Sequence, residues 1–268
     1  MEAAATPLNY DWITAQTVAQ FLLILARVSG AFLSAPFLSH ASVSPKIKIA
    51  IVLMITFLLS PILPHPKVNL HDSNLQLIIL VLQEALIGVV LGFAASVIYS
   101  ILAIAGDFIG FQMGYSIATV LDPSQGAQTG VIATFVTTMG ALLFLYLNGH
   151  HLVLTAIAKS FEVLPIGKGF DVQVGYQISA FLNKIFALSI QMAAPFIIVF
   201  TIVGFIFGII TKLSPQMNIY FNVGFIASPV LGLALLMLSL PLIRVLMTQL
   251  TEQMGPDLLM LVRALKGA

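Results

Sequence analysis

The chain has 268 residues, of which 59% are hydrophobic and only 8% charged, and its formal net charge is +1. Ordinary soluble domains carry about 25% charged residues, so at a mean hydropathy of +1.06 this chain cannot solvate its own surface. It reads as an all-α membrane protein, because its apolar runs are continuous rather than alternating. The near-zero charge leaves no footprint for nucleic acid, and with no cysteine disulfides, thiol catalysis and cysteine-based metal sites are excluded.

The opening residues, MEAAATPLNYDW, hold no basic residue before the first apolar run, which argues against a cleavable signal peptide. The first apolar span is predicted at about 13–35, with Arg27 inside it. The second, about 47–63, is entered through SPKIK and closed by SPILPHP. The third, about 75–104, leads into a stretch of different character, GDFIGFQMGYSIATVLDPSQG, at 106–126. A fourth span is expected at about 128–148 and a shorter, weaker one at about 151–164, parted by the turn signature Asn148-Gly149. The polar connector PIGKGFDVQVG (165–175) is the best candidate for a domain boundary. The last two spans, about 176–211 and 217–248, are joined by the tight turn Lys212-Leu213-Ser214-Pro215-Gln216.

Two features fit a plain bundle of membrane helices poorly. The 176–211 run, if wholly helical, is roughly 54 Å long at ~1.5 Å per residue, against a hydrocarbon core of ~30 Å. Tilt absorbs only part of that excess. Pro195 is a candidate kink; otherwise part of the helix is covered by protein beyond the bilayer. Arg27, Glu84 and Lys184 lie inside apolar spans and Arg244 near the end of one. Each charge costs at least ~2.5–3.5 kcal/mol at a helix centre, so they must face protein or water, as structural ion pairs or as an ion pathway. No acid cluster repeats on one helix face, which weakens the pathway reading. Lys46 and Lys48 favour a cytoplasmic first loop and Lys212 a cytoplasmic hairpin turn, on few charges.

Glycines recur at four-residue spacing in Gly88/Gly92, Gly106/Gly110/Gly114 and Gly204/Gly208, which lets helix backbones approach closely. For the first and last sets, packing within the chain is the expectation. No HExxH, GxSxG or P-loop motif is present, so the chain is not expected to be an enzyme and no cofactor is expected. His150 and His151 are adjacent, point about 100° apart on a helix and suit joint metal ligation poorly.

The 106–126 stretch is the candidate functional segment. Three glycines each cost a helix about 1 kcal/mol relative to alanine. Asp107 and Gln112 lie off the glycine face, and Asp122-Pro123-Ser124-Gln125-Gly126 is a breaker. Irregular backbone at membrane depth survives only inside protein or beside a water-filled cavity. Glycine freedom interleaved with Phe108, Ile109, Phe111, Met113 and Tyr115 suits a deformable plug that closes a pore by excluding water. The spacing alone fits a helix packed by its glycines better than a plug.

GDFIGFQMGYSIATVLDP (106–123) resembles the hallmark segment of the FliR/SctT family, the export-gate proteins of flagella and injectisomes. RVSGAFLSAPFLS (27–39), PKIKIAIVLMITFLLSP (45–61), LLFLYLNGHHLV (142–153), LPIG (164–167) and SPQMNIYFNVGF (214–225) resemble further family segments in the expected order. The wording IGFQMG (109–114) is similar to the flagellar branch, and the C-terminal stretch 251–268 matches no family motif. The resemblance implies long kinked helices and helical hairpins, with a FliP-like part over 1–170 followed by a FliQ-like hairpin and tail over 171–268. It implies assembly with FliP-like and FliQ-like subunits, further FlhB-like and FlhA-like partners, and passage of unfolded export substrates. The location it implies is the bacterial inner membrane at the base of the flagellar basal body. It also implies that Phe108 to Tyr115 plug the closed pore with Asp107 and Asp122 as anchors, and that Lys212, Ser214, Pro215 and Gln216 form the cytoplasmic entrance turn. A secondary transporter and a purely structural scaffold are the alternatives. The first should show matched halves with paired interrupted segments, which the sequence lacks; the second should never conduct.

Overall fold

Long apolar runs have one economical solution to unpaired backbone groups, the α-helix, because every N–H and C=O is satisfied within the segment. The computed structural model describes residues 15–35, 44–63, 74–115, 130–167, 174–213 and 223–265, and every regular element among them is helical. In chain order these are α1 (Ala15–Ser34), α2 (Pro45–Leu59), α3 (Asn74–Gln112), α4 (Val131–Tyr146), α5 (Gly149–Val163), α6 (Val174–Leu213) and α7 (Phe225–Leu265). Four of them, α1, α3, α6 and α7, are long and apolar enough to cross a membrane.

The remaining apolar spans take other forms. The second apolar stretch forms a helix of 15 residues, started by Pro45 at a position where its missing N–H costs nothing and shorter than the ~20 residues a crossing needs. The fourth and fifth spans form a bent pair, α4 and α5, meeting at 66°. The corner is Asn148, at φ 57°, a left-handed conformation that asparagine tolerates. Gly149 follows, and a Cβ there would overlap the Phe144 ring. The 176–211 run does not break: α6 is one helix of 40 residues with Pro195 inside it. The motif-less C-terminus continues α7 to Leu265.

The described residues cluster into two compact units. The first draws on residues 1–95, 153–175 and 257–268. Here α1 packs against α2, and the buried Gln20 amide donates to the Ser60 and Leu63 carbonyls at the end of α2. The α1–α3 contact is backbone on backbone. A Cβ on Gly30 would overlap the Ala85 carbonyl, one on Gly88 the Arg27 carbonyl, and one on Gly92 the Ala31 carbonyl. The Gly88/Gly92 expectation thus holds. Leu258, Leu261, Val262 and Leu265 of α7 are buried in this same unit.

Close approach of α1 and α3 encloses a polar centre. The fully buried Arg27 donates from Nε to Glu84 Oε2 at 2.6 Å, from Nη1 to Ser160 Oγ at 3.1 Å and from Nη2 to the Leu164 carbonyl at 3.0 Å. Its guanidinium carbon lies 4.1 Å from the Phe161 ring centroid. Glu84 Oε1 accepts from the Gly167 backbone N–H at 3.2 Å, in a turn where Gly167 takes φ 82°. Two of the four charges read from the sequence are therefore a structural ion pair, joining α1, α3, α5 and the turn after α5.

The second unit draws on 96–152 and 176–256, with the C-terminal part of α3 at its centre. A Cβ on Gly106 would overlap Ala133 of α4, one on Gly140 would overlap the Leu102 tip, and Ser189 Oγ of α6 donates to the Ile101 carbonyl at 3.2 Å. Gly204 and Gly208 correct an expectation: among the described residues nothing lies within 4 Å of a Cβ on either. Their face of α6 is open, as is most of that helix, for only 17% of its apolar window is buried within the chain.

Removing one member of a buried pair strands the other, at a cost of about 3–5 kcal/mol, whereas replacing both with apolar groups is often near neutral. Arg27→Met is expected to make the chain markedly more protease-sensitive on heating in native membranes. Arg27→Met with Glu84→Met is expected to recover most of the loss. Equal damage from the single and double variants would show that the pair is not what holds these helices.

Candidate functional site

The segment singled out by sequence begins as ordinary helix. α3 runs without interruption through Gly106 and Gly110 to Gln112, so the helix-breaking effect expected of three glycines falls on Gly114 alone. Gly114 takes φ 82°. Its N–H bonds to the Phe111 carbonyl at 3.0 Å, and the Tyr115 N–H reaches back to the Gly110 carbonyl at 3.1 Å. This pair of bonds is the Schellman ending, in which a left-handed glycine lets the last orphan carbonyls be satisfied. Gly106, Gly110 and Gly114 share a spacing and differ in role. Gly106 permits contact with α4, Gly110 has only ordinary contact with Ile132 at 3.5 Å, and Gly114 stops the helix.

A helix advances about 100° per residue, and this end of α3 has two faces. Ala105, Ile109 and Met113 are fully buried, and so are Gly106 and Gly110. Phe108 and Phe111, three residues apart, are 38% and 68% exposed, with Gln112 and Tyr115 half-buried beside them. The sequence pattern groups Met113 with the phenylalanines as a pore-facing side chain. Within the chain it lies on the opposite face, under α7, where a Cβ on Gly232 would overlap its Cγ, Sδ and Cε. Asp107 is exposed, and its carboxylate lies beside Gly130, at the N-terminus of α4 where the helix dipole favours a negative charge.

The other sequence candidates disperse. Lys184 is half-buried on α6 and Arg244 exposed on α7, and both belong to the second unit, whereas the Arg27–Glu84 pair belongs to the first. Arg244 lines an open groove of about 740 Å³ with Met139 and Leu143 of α4 and Leu240, Pro241 and Thr248 of α7. Lys212 is exposed in the last turn of α6. Asp122, Ser214, Pro215 and Gln216 lie outside the described residues. Among the described residues no group of three or more His, Cys, Asp or Glu side chains is placed to hold a metal ion. Sequence reasoning missed Ser160 and Gly232, since a lone serine or glycine in an apolar helix carries no local signal.

The family model for bacterial export proteins, family 1, matches residues 18–254. This chain belongs to that family. Among the similar members of bacterial export family 1 is the flagellar biosynthetic protein FliR of Bacillus subtilis (strain 168), 34% identical over 75% of this chain and 78% of the relative. FliR of Escherichia coli (strain K12) is 31% identical over 82% of this chain and 83% of the relative. The surface presentation of antigens protein SpaR of Shigella sonnei is 26% identical over 76% and 80%. The resemblance read from GDFIGFQMGYSIATVLDP is thus a family relationship covering most of the chain, and the relatives are named as export and biosynthetic proteins, with none named as an enzyme.

The glycine geometry gives a sharp contrast. Gly106→Ala forces α3 and α4 apart and is expected to destabilise the chain by about 1–3 kcal/mol, as overpacking does. Gly110→Ala meets only a side chain at 3.5 Å and gains up to about 1 kcal/mol of helix propensity. Protease resistance of the two variants in native membranes tests this; equal loss in both would contradict the separate roles.

Proposed function

We propose that this chain is a subunit of a type III protein-export gate of the flagellar kind, and that the end of α3 with the residues after it keeps the gate closed. The observation that carries the reading is the two-faced end of α3. Ile109 and Met113 fix the helix inside the chain, while Phe108 and Phe111 project outward immediately before a left-handed glycine. A constriction lined by such rings excludes water and ions with no bond to break. Asp107 of α3, beside the start of α4, is the anchor on the near side, and Asp122 the anchor on the far side.

The gate assembles from this chain with FliP-like and FliQ-like subunits in the bacterial inner membrane at the base of the flagellar basal body. FlhB-like and FlhA-like proteins are further partners, and unfolded export substrates pass through. Residues 1–170 correspond to a FliP-like part and 171–268 to a FliQ-like hairpin. The 212–216 turn faces the cytoplasmic entrance. The exposed apolar surface supports assembly: only 17% and 22% of the apolar windows of α6 and α7 are buried within the chain. A purely structural scaffold remains the second reading, because a glycine-packed helix end needs no moving part.

Two outcomes test the reading. Purified alone in mild detergent, the chain is expected to aggregate, and to form a discrete particle only when co-expressed with the partner subunits; a stable monodisperse monomer would count against assembly. In cells carrying the full gate, Phe108→Gly with Phe111→Gly, or deletion of 110–115, is expected to cause leakage of small ions through complexes that assemble normally. Tight, fully exporting complexes in both variants would leave the scaffold reading standing.

A further inference from the structure

We propose that Gly232 of α7 is the positioning residue for the gate, the seat that receives Met113 and so holds the end of α3 closed. The inference rests on the gate reading and names the contact that sets its balance. Met113 is fully buried, and Gly232 is buried beneath it. A Cβ at 232 would coincide with the Met113 side chain, so the thioether occupies space that only a glycine leaves free. Met113 is also the last residue before Gly114 at φ 82°. The knob therefore sits where α3 ends.

This contact differs in kind from the other close glycine approaches. At Gly30, Gly88 and Gly106 an added Cβ meets backbone of the neighbouring helix, and such contacts cannot open without separating two helices. At Gly140 and Gly149 the neighbour is a side-chain tip, but of Leu102 and Phe144, both within helices. At Gly232 the neighbour is a flexible, unbranched side chain at a helix end. Such a side chain leaves by rotamer changes, breaking no hydrogen bond, and methionine is the apolar residue best suited to that. The seat holds while no substrate is present and yields to a modest differential interaction, as a two-state gate requires.

Filling the seat should shift the closed–open balance. Gly232→Ala is expected to raise ion leakage about tenfold, the scale of an overpacked contact, in complexes that assemble and still export. Met113→Ala removes the knob without adding volume and is expected to leak likewise, which decides the matter if the first variant fails to assemble. The decisive pair is Met113→Cys with Gly232→Cys. The chain has no cysteine of its own, so within it these two sulfurs pair only with each other. In membrane vesicles carrying the assembled gate, the reduced pair is expected to leak, the oxidised pair to be tight and blocked for export, and dithiothreitol to restore both leak and export.

Failure of the disulfide to form, or export at the normal rate with the disulfide closed, would overturn the seat. If Phe108→Gly with Phe111→Gly leaks while Gly232→Ala and Met113→Ala stay tight, the gate reading stands and the seat falls. If all of these variants stay tight, the gate reading itself falls and takes the seat with it.

Discussion

One buried cation organises the first unit. Arg27 sits in the middle of an apolar helix with no solvent exposure, and each of its donor nitrogens is satisfied: by Glu84 of α3, by Ser160 of α5 and by the Leu164 carbonyl. A guanidinium in such surroundings is tolerated only when its donors find fixed acceptors. Its planar fork spreads those acceptors over three directions, which is why one residue ties three helices together. The arrangement depends in turn on Gly30 and Gly88, whose missing Cβ atoms let α1 and α3 close to backbone contact.

How much of this the sequence disclosed follows from how local each signal is. Membrane class and helicity rest on composition and run length, and both were legible. The corner between α4 and α5 was legible in Asn148-Gly149, because asparagine and glycine accept left-handed backbone. Packing at Gly88 and Gly92 was legible for the same kind of reason. The partner of Arg27 was not, since Glu84 and Ser160 lie 57 and 133 residues away and no local rule spans that distance. Gly204 and Gly208 carry the same spacing as Gly88 and Gly92 yet face nothing among the described residues. Spacing states what a helix face permits and says nothing about what fills it.

The candidate segment shows the same limit at finer grain. Its residue types suggested freedom throughout, but the helix absorbs Gly106 and Gly110, and the freedom is concentrated at Gly114. Gly114 was readable as a helix stop only after the helix had been followed to it. Likewise Met113 and Phe111 look alike in a list of large apolar residues. A two-residue offset on a helix turns them about 200° apart, which sends one under Gly232 and leaves the other exposed. A fixed inner face is what makes an outward face useful. The rings of Phe108 and Phe111 can close a passage reproducibly only if their backbone is held from behind.

The central claim is that the outward face of α3's end lines a closed passage in the assembled gate. A density map of the complete complex, purified with its partner subunits in the resting state, tests it most directly. The account predicts that the Phe108 and Phe111 rings point toward the central axis and block it, with Met113 still seated behind them. Rings turned toward lipid or buried in a side contact with a neighbouring subunit, beside a passage closed by other residues, would contradict it.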